Sequence, residues 1–176
     1  MYPKKILTLI ASILIGSSIA SANEDTSFKD AIDHLKMPQN ALPFNLIKDF
    51  KDYKIVATHF RTDKKELRYI LANDKAFEAL QNNKLPLPEG SKVVKIGWSV
   101  QKMGNFPSAL EANEVQRIEY MYKDSKNYPA DGWGYARFIK VDGVYKSWDK
   151  GTKGCVSCHA AANNNDYLFT KFQKLN

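Results

Sequence analysis

Hydrophobic and polar residues alternate along five separate runs of the chain, which is the pattern of half-buried β-strands. The clearest run covers residues 91–103, where Val94, Ile96 and Trp98 fall on one face. β-Branched and aromatic residues are frequent in all five runs, as strands favour. The predicted strands are residues 53–60, 66–72, 91–103, 114–122 and 133–141.

Turn-forming residues separate these runs. Proline and glycine occur at 85–90, 103–107 and 128–132, where they interrupt regular structure. Short helices are predicted at 43–50, 74–81 (with Asp74 as the cap), near 155–161 and at 166–172. The predicted fold is α+β and mainly β: an antiparallel sheet of about five strands with short flanking helices.

The first 22 residues have the layout of a cleavable export signal. Lys4 and Lys5 precede an apolar stretch at 6–20, and small residues at 20–22 suit a signal peptidase. An N-terminal membrane anchor is the alternative, but the stretch is shorter than the ~20 residues of a membrane span. We therefore predict a periplasmic protein without a membrane span after cleavage. Its parts are a signal peptide at 1–22, an N-terminal extension at 23–41 and one folded domain at 42–176.

The charges of the chain are mixed rather than clustered. It has 176 residues and a net charge of +7, from 26 Lys and Arg and 19 Asp and Glu. Lysines and acids intermingle at 48–52 and 123–126, and no basic stripe forms. Nucleic-acid binding is therefore not expected. A solvated surface, with weak steering toward an acidic electron-transfer partner, fits the composition better.

The two cysteines of the chain stand together in Cys155-Val156-Ser157-Cys158-His159. Cys-x-x-Cys-His is the attachment signature of c-type haem. Two thiols three residues apart lie on one side of a helical turn, where both can form thioethers along one porphyrin edge. The pattern predicts one covalent haem c, bound near the C-terminus through Cys155 and Cys158, with His159 as the iron ligand.

Two other uses of the cysteines fit less well. A thioredoxin-like motif would open a helix after the first strand of a βαβ unit, and no such unit precedes Cys155. A structural zinc site needs four ligands, and no second Cys/His pair is present. A sixth iron ligand would have to be a more distant residue: His34, His59, Met37, Met103 or Met121.

A C-terminal haem motif in a β-rich chain resembles the cytochrome P-460 family and its relative cytochrome c′-beta. In the family layout, Cys-x-x-Cys-His is followed at a fixed distance by an acid, an aromatic residue and a Phe-Thr pair. Here these are Asp166, Tyr167 and residues 169–170. The likeness extends over most of the chain, from about Leu42 to Leu175.

The resemblance implies a role for Lys95. In cytochrome P-460 a lysine nitrogen is bonded to a meso carbon of the porphyrin, and in cytochrome c′-beta that bond is absent. Lys95 follows the acid-Gly turn at 89–90, as the family lysine does. Gly97 and Ser99 share its strand face, where small side chains could let a flat ring approach. Burial against an apolar haem edge would favour the neutral amine that the bond requires.

The resemblance also assigns distal residues. It places Arg68 above the iron, where a guanidinium can donate hydrogen bonds to a ligand or a propionate. It makes Phe60 and Phe77 candidates for an apolar cap, with ordinary core positions as the alternative. Active members use a carboxylate just before the first haem cysteine, but Lys153 stands there in this chain. Asp149 is the nearest acid that could replace it as a catalytic base.

Three functions remain open at this point. The first is an enzyme that oxidises hydroxylamine to nitrogen oxides and passes electrons to a small acceptor cytochrome. The second is a cytochrome c′-beta-like protein that binds nitric oxide without turnover. The third is a plain electron carrier, which needs a strong sixth ligand such as Met103 or His59. The resemblance further implies a homodimer.

Overall fold

The computed structural model describes residues 37–148 and 150–174. The predicted signal peptide, residues 23–36 and Asp149 lie outside these ranges. None of the helices within them combines the length and hydropathy of a membrane span. Residues 37–41 of the predicted extension contact the domain: Asn40 Nδ2 donates a 2.9 Å hydrogen bond to the Arg137 carbonyl.

Six antiparallel strands form one sheet in sequence order. This confirms the predicted mainly β fold, and the five predicted strands are all present. The strands are β1 (Lys54–Arg61), β2 (Glu66–Ala72), β3 (Lys92–Met103), β4 (Phe106–Lys123), β5 (Trp133–Val141) and β6 (Val144–Ser147). β4 begins well before the predicted residue 114, because it continues to pair with β3 as far as Phe106.

The sixth strand was not predicted. It has only four residues, too few for a clear alternation. The Asp142-Gly143 pair before it has positive φ at both positions, 52° and 77°. That is the requirement of a two-residue hairpin turn. The Asp-Gly dipeptide was therefore the sequence signal for β6.

Within the described residues two α-helices flank the sheet, α1 (Asp74–Gln81) and α2 (Gly151–His159). Three 3-10 helices accompany them, at Phe44–Ile47, Phe50–Asp52 and Ala160–Asn165. The predicted helix at 43–50 is thus two short 3-10 turns. The predicted helix at 166–172 is wrong, because Asp166 and Tyr167 both have positive φ, 50° and 64°, and the chain leaves helical geometry there.

The cap of α1 is Asn73, not Asp74 as predicted. The Asn73 side-chain oxygen accepts hydrogen bonds from the backbone N–H of Ala76 at 3.3 Å and of Lys92 at 3.0 Å. Its amide nitrogen donates to the Gly90 carbonyl at 3.0 Å. Asp74 is the first helical residue and is exposed. Asn73 therefore joins the start of α1 to the start of β3.

The sheet separates two apolar clusters. One face packs against the N-terminal 3-10 helices through Ile47, Phe50, Val94, Ile96 and Phe138 among others. The other face packs against α1, α2 and the C-terminal segment, with Val56, Ile70, Val93, Met121, Trp133 and Leu168 in its cluster. Because successive residues of a strand face opposite sides, Lys95 lies on the second face, with Val93. The candidate site is on that face.

We expect Asn73→Ala to lower the free energy of unfolding by about 1–3 kcal/mol, because it removes the helix cap and leaves the Lys92 N–H without its acceptor. Urea denaturation followed by circular dichroism measures the change. Asp74→Ala is the matched control: its exposed ion pair with Lys54, at 3.0 Å, is worth about 0–1 kcal/mol. Equal losses in the two variants would contradict the assignment of the cap.

Candidate functional site

A cavity of about 300 Å³ lies between α2 and the second face of the sheet. Side chains from α2, from β1 to β5 and from the C-terminal segment line it. Five of the six site residues predicted from the sequence meet there: Cys155, Cys158, His159, Lys95 and Arg68. The sixth, Asp149, lies outside the described residues.

The two thiols are presented by α2. Cys155 is half-buried and Cys158 is exposed, and both are free. Burial raises the pKa of the Cys155 thiol, and the nearby Glu119 carboxylate raises it further. Gly154 lets this helix lie close to Trp148, because a Cβ at Gly154 would come within 2.8 Å of the indole ring. The helix therefore holds both thiols at the cavity wall.

His159 ends α2 with a fixed ring orientation. Its Nδ1 lies 2.6 Å from the Tyr167 carbonyl oxygen. A carbonyl can only accept, so Nδ1 carries the proton and Nε2 keeps its lone pair for a metal. Burial lowers the pKa of His159, although the bond to Tyr167 acts in the opposite direction. The imidazole is thus held in the neutral form that binds iron.

Aromatic rings enclose this imidazole. The centroids of the Tyr135 and Phe169 rings each lie 5.1 Å from the centroid of the His159 ring. The Tyr135 hydroxyl donates a 2.8 Å hydrogen bond to Asp131, which fixes its ring. The orientation of His159 is therefore set by packing as well as by hydrogen bonding.

The cavity is strongly cationic. Five basic side chains line it: Arg61, Arg68, Lys95, Arg117 and Arg137. Among the described lining residues the one acidic side chain is Glu119. Such an excess of positive charge favours an anionic guest, since guanidinium groups bind carboxylates tightly.

Glu119 is the centre of one ion cluster. Its carboxylate contacts Lys95 Nζ directly, and lies 3.2 Å from Arg137 Nε and 3.9 Å from Arg117 Nη1. Burial raises the pKa of Glu119, but the surrounding cations, Lys95 first, outweigh burial and leave the pKa below its usual value. Glu119 is therefore ionised at neutral pH.

Glu66 is the centre of a second ion cluster and is only 3% exposed. Its two oxygens lie 2.6 Å from Arg68 Nε and 2.6 Å from Arg117 Nε. A Cβ at Gly97 would come within 2.8 Å of the Glu66 and Arg117 side chains. The space above Gly97 is thus occupied by this ion cluster, and the expectation that it admits a flat ring is wrong.

Other expectations about the site also need correction. Ser99 does not line the cavity but hydrogen-bonds to the Glu114 backbone. Phe60 is exposed, and Phe77 packs on Phe172 at 5.3 Å between ring centroids. Neither phenylalanine lines the cavity, so the predicted apolar cap is wrong. The apolar lining comes instead from other positions: Ile70, Val93, Met121, Leu168 and Phe169.

The lining of the cavity reduces the number of residues that could be a sixth iron ligand. His59 and Met103 are absent from the lining of the cavity, and Met37 packs on the opposite face of the sheet. Met121 does reach the cavity but is buried in the apolar core. Lys153 is exposed on α2 and outside the lining.

Sequence reasoning missed Glu119, Arg117 and Arg137. A signal was present, because Arg117 and Glu119 alternate with buried Ile118 and Tyr120 on β4. In the register of the sheet Glu119 pairs with Lys95 on one side and Arg137 on the other. Pairing the predicted strands would have placed this acid between the two cations.

The residues of the cavity fit a c-type haem. Two thiols stand one helical turn apart, a neutral imidazole follows them, and the cationic lining complements the propionates. Among the described residues no group of three or more His, Cys, Asp and Glu could hold a metal ion. A porphyrin that carries iron would be attached through Cys155 and Cys158 and ligated by His159.

A family model described as Cytochrome P460 matches residues 47–170 of the chain. This range includes the six strands and two α-helices of the described residues and every residue that lines the cavity. No curated protein matches the sequence.

We expect the free energy of unfolding of Glu119→Gln to fall less steeply than that of the wild type as the pH is lowered. Because the fold depresses the pKa of Glu119, the carboxylate stabilises the native state above its ordinary pKa of 4.5. That contribution is lost as the pH falls through the lower folded value. Urea denaturation between about pH 7 and pH 3 measures the slope.

The control for this experiment is Glu78→Gln, since Glu78 is exposed on α1. It should keep the wild-type slope. If the free energy of unfolding falls as steeply with decreasing pH in Glu119→Gln as in the wild type, the role given to the Glu119 cluster is contradicted.

Proposed function

Because the chain belongs to the cytochrome P460 family, we propose that this c-type haem protein oxidises hydroxylamine to nitrogen oxides in the periplasm. In this proposal it carries one covalent haem and passes electrons to a small acceptor cytochrome. The observation that carries the proposal is the position of Lys95. It lines the same cavity as Cys155, Cys158 and His159, with its Nζ against Glu119.

The protein would position haem and substrate through few residues. A bound haem supplies an iron that takes up hydroxylamine and accepts its electrons one at a time. Cys155 and Cys158 would hold the porphyrin, and the Nε2 atom of His159 would bind the iron. Arg68, whose Nε is held by Glu66 at 2.6 Å, presents its remaining N–H donors to a nitrogen-oxide group or a propionate.

Oxidation of hydroxylamine also releases protons, which need an acceptor. Glu119 is the one acidic side chain among the described residues of the lining, and its lowered pKa keeps it ionised. We assign it the role of proton acceptor in this chain. Asp149, predicted for that role from the sequence, lies outside the described residues and stays a prediction.

The bond between Lys95 and the porphyrin also requires proton removal. The Lys95 nitrogen would have to give up a proton to bond to a porphyrin carbon. Glu119 contacts Nζ and would take the proton from the amine, a function that the sequence analysis had given to burial alone.

The alternative is nitric oxide binding without turnover, and the same contact supports it. An ammonium group held in an ion pair with Glu119 has no lone pair with which to attack the ring. The apolar lining from Ile70, Val93 and Met121 would suit a small uncharged ligand. A plain electron carrier is less favoured, because it needs a strong sixth iron ligand. Among the described residues predicted as sixth ligands, only Met121 lines the cavity.

Peptide mass spectrometry of trypsin-digested holo-protein separates the first two functions. We expect the haem to travel with residues 154–171 and, through Lys95, with residues 93–102 left uncut after Lys95. Lys95→Met should release the strand peptide, whereas Lys92→Met, on the same strand, should retain the bond.

A free, normally cleaved Lys95 in the wild-type digest would contradict the cross-linked enzyme. Nitric oxide titration, followed by the absorption spectrum, would then become the test of the alternative function.

The homodimer implied by the resemblance is also a proposal, supported by the shape of β3 and β4. The pairing of β2 with β3 extends only to Ser99, opposite Glu66, and the pairing of β5 with β4 extends only to Arg117, opposite Ile139. Beyond those points β3 and β4 continue as a two-stranded arm, and such ribbons are marginally stable alone. The arm exposes three large apolar side chains: Met103, Phe106 and Leu110. We propose that a second copy of the chain covers them.

Light scattering coupled to size-exclusion chromatography tests this interface. We expect a dimer for the wild type and a monomer for the double variant Phe106→Ser, Leu110→Ser, because the apolar contact is removed. Val144→Ser is the control, since Val144 is comparably exposed on β6 but outside the arm. A wild-type monomer, or a double variant that stays dimeric, would contradict the proposal.

A further inference from the structure

A buried ion pair lies just outside the cavity. Lys123, the last residue of β4, places its Nζ 2.8 Å from Asp166 Oδ1. Lys123 is 6% exposed and Asp166 8%, and neither lines the cavity. Buried ion pairs add little net stability, because desolvation offsets the attraction. A buried pair of this kind therefore suggests a role other than added stability.

The Asp166 carboxylate is saturated with donors from separate parts of the chain. Trp133 Nε1 donates to Oδ1 at 3.3 Å, and the backbone N–H of Leu87 donates to Oδ2 at 2.8 Å. The Lys123 Nζ also lies 4.8 Å from the centroid of the Trp133 ring. The end of β4, the start of β5 and the loop at 85–88 together fix the position of this one side chain.

The backbone at this point is unusual. Asp166 and Tyr167 are consecutive non-glycine residues with positive φ, 50° and 64°. L-residues adopt this conformation at a cost, and the surrounding structure must hold them in it. Within the backbone, the Tyr167 N–H donates to Ala162 at 2.9 Å and the Leu168 N–H to Asn165 at 3.0 Å.

The left-handed turn has one direct effect on the site. It directs the Tyr167 carbonyl back toward α2, where that oxygen accepts the 2.6 Å hydrogen bond from His159 Nδ1. The carboxylate that fixes the turn belongs to the residue immediately before this carbonyl. The contacts thus form one chain, from Lys123 and Trp133 through Asp166 and Tyr167 to the imidazole.

We propose that Asp166 is a positioning residue for the iron ligand. Its buried carboxylate holds the left-handed turn so that the Tyr167 carbonyl stays hydrogen-bonded to His159 Nδ1. That bond makes the imidazole a stronger electron donor to iron and so lowers the reduction potential of the haem. The proposal rests on His159 as the iron ligand of the proposed function, but not on hydroxylamine oxidation.

The test uses holo-protein and two readouts that a loss of stability alone would not move. Resonance Raman spectra of the ferrous protein report the Fe–His stretching frequency, and redox titration reports the midpoint potential. For Asp166→Ala we expect a lower Fe–His frequency and a higher potential. Asp166→Asn, which keeps one carbonyl oxygen for Lys123 or Trp133, should shift both quantities in the same direction but less.

Two further variants keep the test decisive if Asp166→Ala does not fold. Trp133→Phe removes only the 3.3 Å donor to Oδ1 and should produce a small shift of the same sign. Tyr145→Phe is the control, because it removes the 2.9 Å hydrogen bond from its hydroxyl to the Val115 carbonyl without contact to the turn. Its thermal midpoint should fall while both readouts stay at wild-type values.

The outcomes are distinct. Graded shifts from Trp133→Phe through Asp166→Asn to Asp166→Ala support the proposal. Folded variants with lower thermal midpoints but an unchanged Fe–His band and potential overturn it, as does a wild type in which His159 does not bind iron. If hydroxylamine is not oxidised but the graded shifts persist, the proposed function fails while the positioning role of Asp166 stands.

Discussion

Five cations can share one half-buried cavity only if carboxylates lie between them. Unshielded guanidinium and ammonium groups a few ångströms apart would repel one another strongly where water is scarce. Glu66 pairs with Arg68 and Arg117, and Glu119 pairs with Lys95 and Arg137. The fifth cation, Arg61, pairs with Asp63. Much of the local structure follows from Glu66 and Glu119.

The two carboxylates depend in turn on the register of the sheet. Glu119 faces Lys95 and Arg137 because β4 pairs with β3 and β5 at these residues. Glu66 fits beside β3 because position 97 has no side chain. On the other wall, α2 is fixed by Trp148, whose ring lies 4.3 Å from the Arg137 guanidinium carbon and close to Gly154. Arg137 thus connects the sheet to α2 through Trp148, and it also pairs with the Glu119 carboxylate in the cavity.

Local patterns were enough to predict most of the fold and part of the site. The alternation of Val94, Ile96 and Trp98 predicted β3, and the spacing of Cys155, Cys158 and His159 predicted the helical turn that presents them. What could not be predicted depends on contacts between distant residues. The role of Glu119 depends on its cross-strand partners, Lys95 and Arg137. The predicted helix at 166–172 fails because Asp166 is held by Lys123 and Trp133, which no local propensity records.

The order of the strands has a consequence for maturation. Each strand pairs with its neighbour in sequence, so the sheet can assemble from successive hairpins with short loop closures. The described segment 150–174 contributes no strand to it, and Cys158 is exposed even in the folded chain. The sheet can therefore form before α2 docks, while both thiols are still accessible. In the proposed haem protein, attachment of the prosthetic group and docking of α2 would then follow the formation of the sheet.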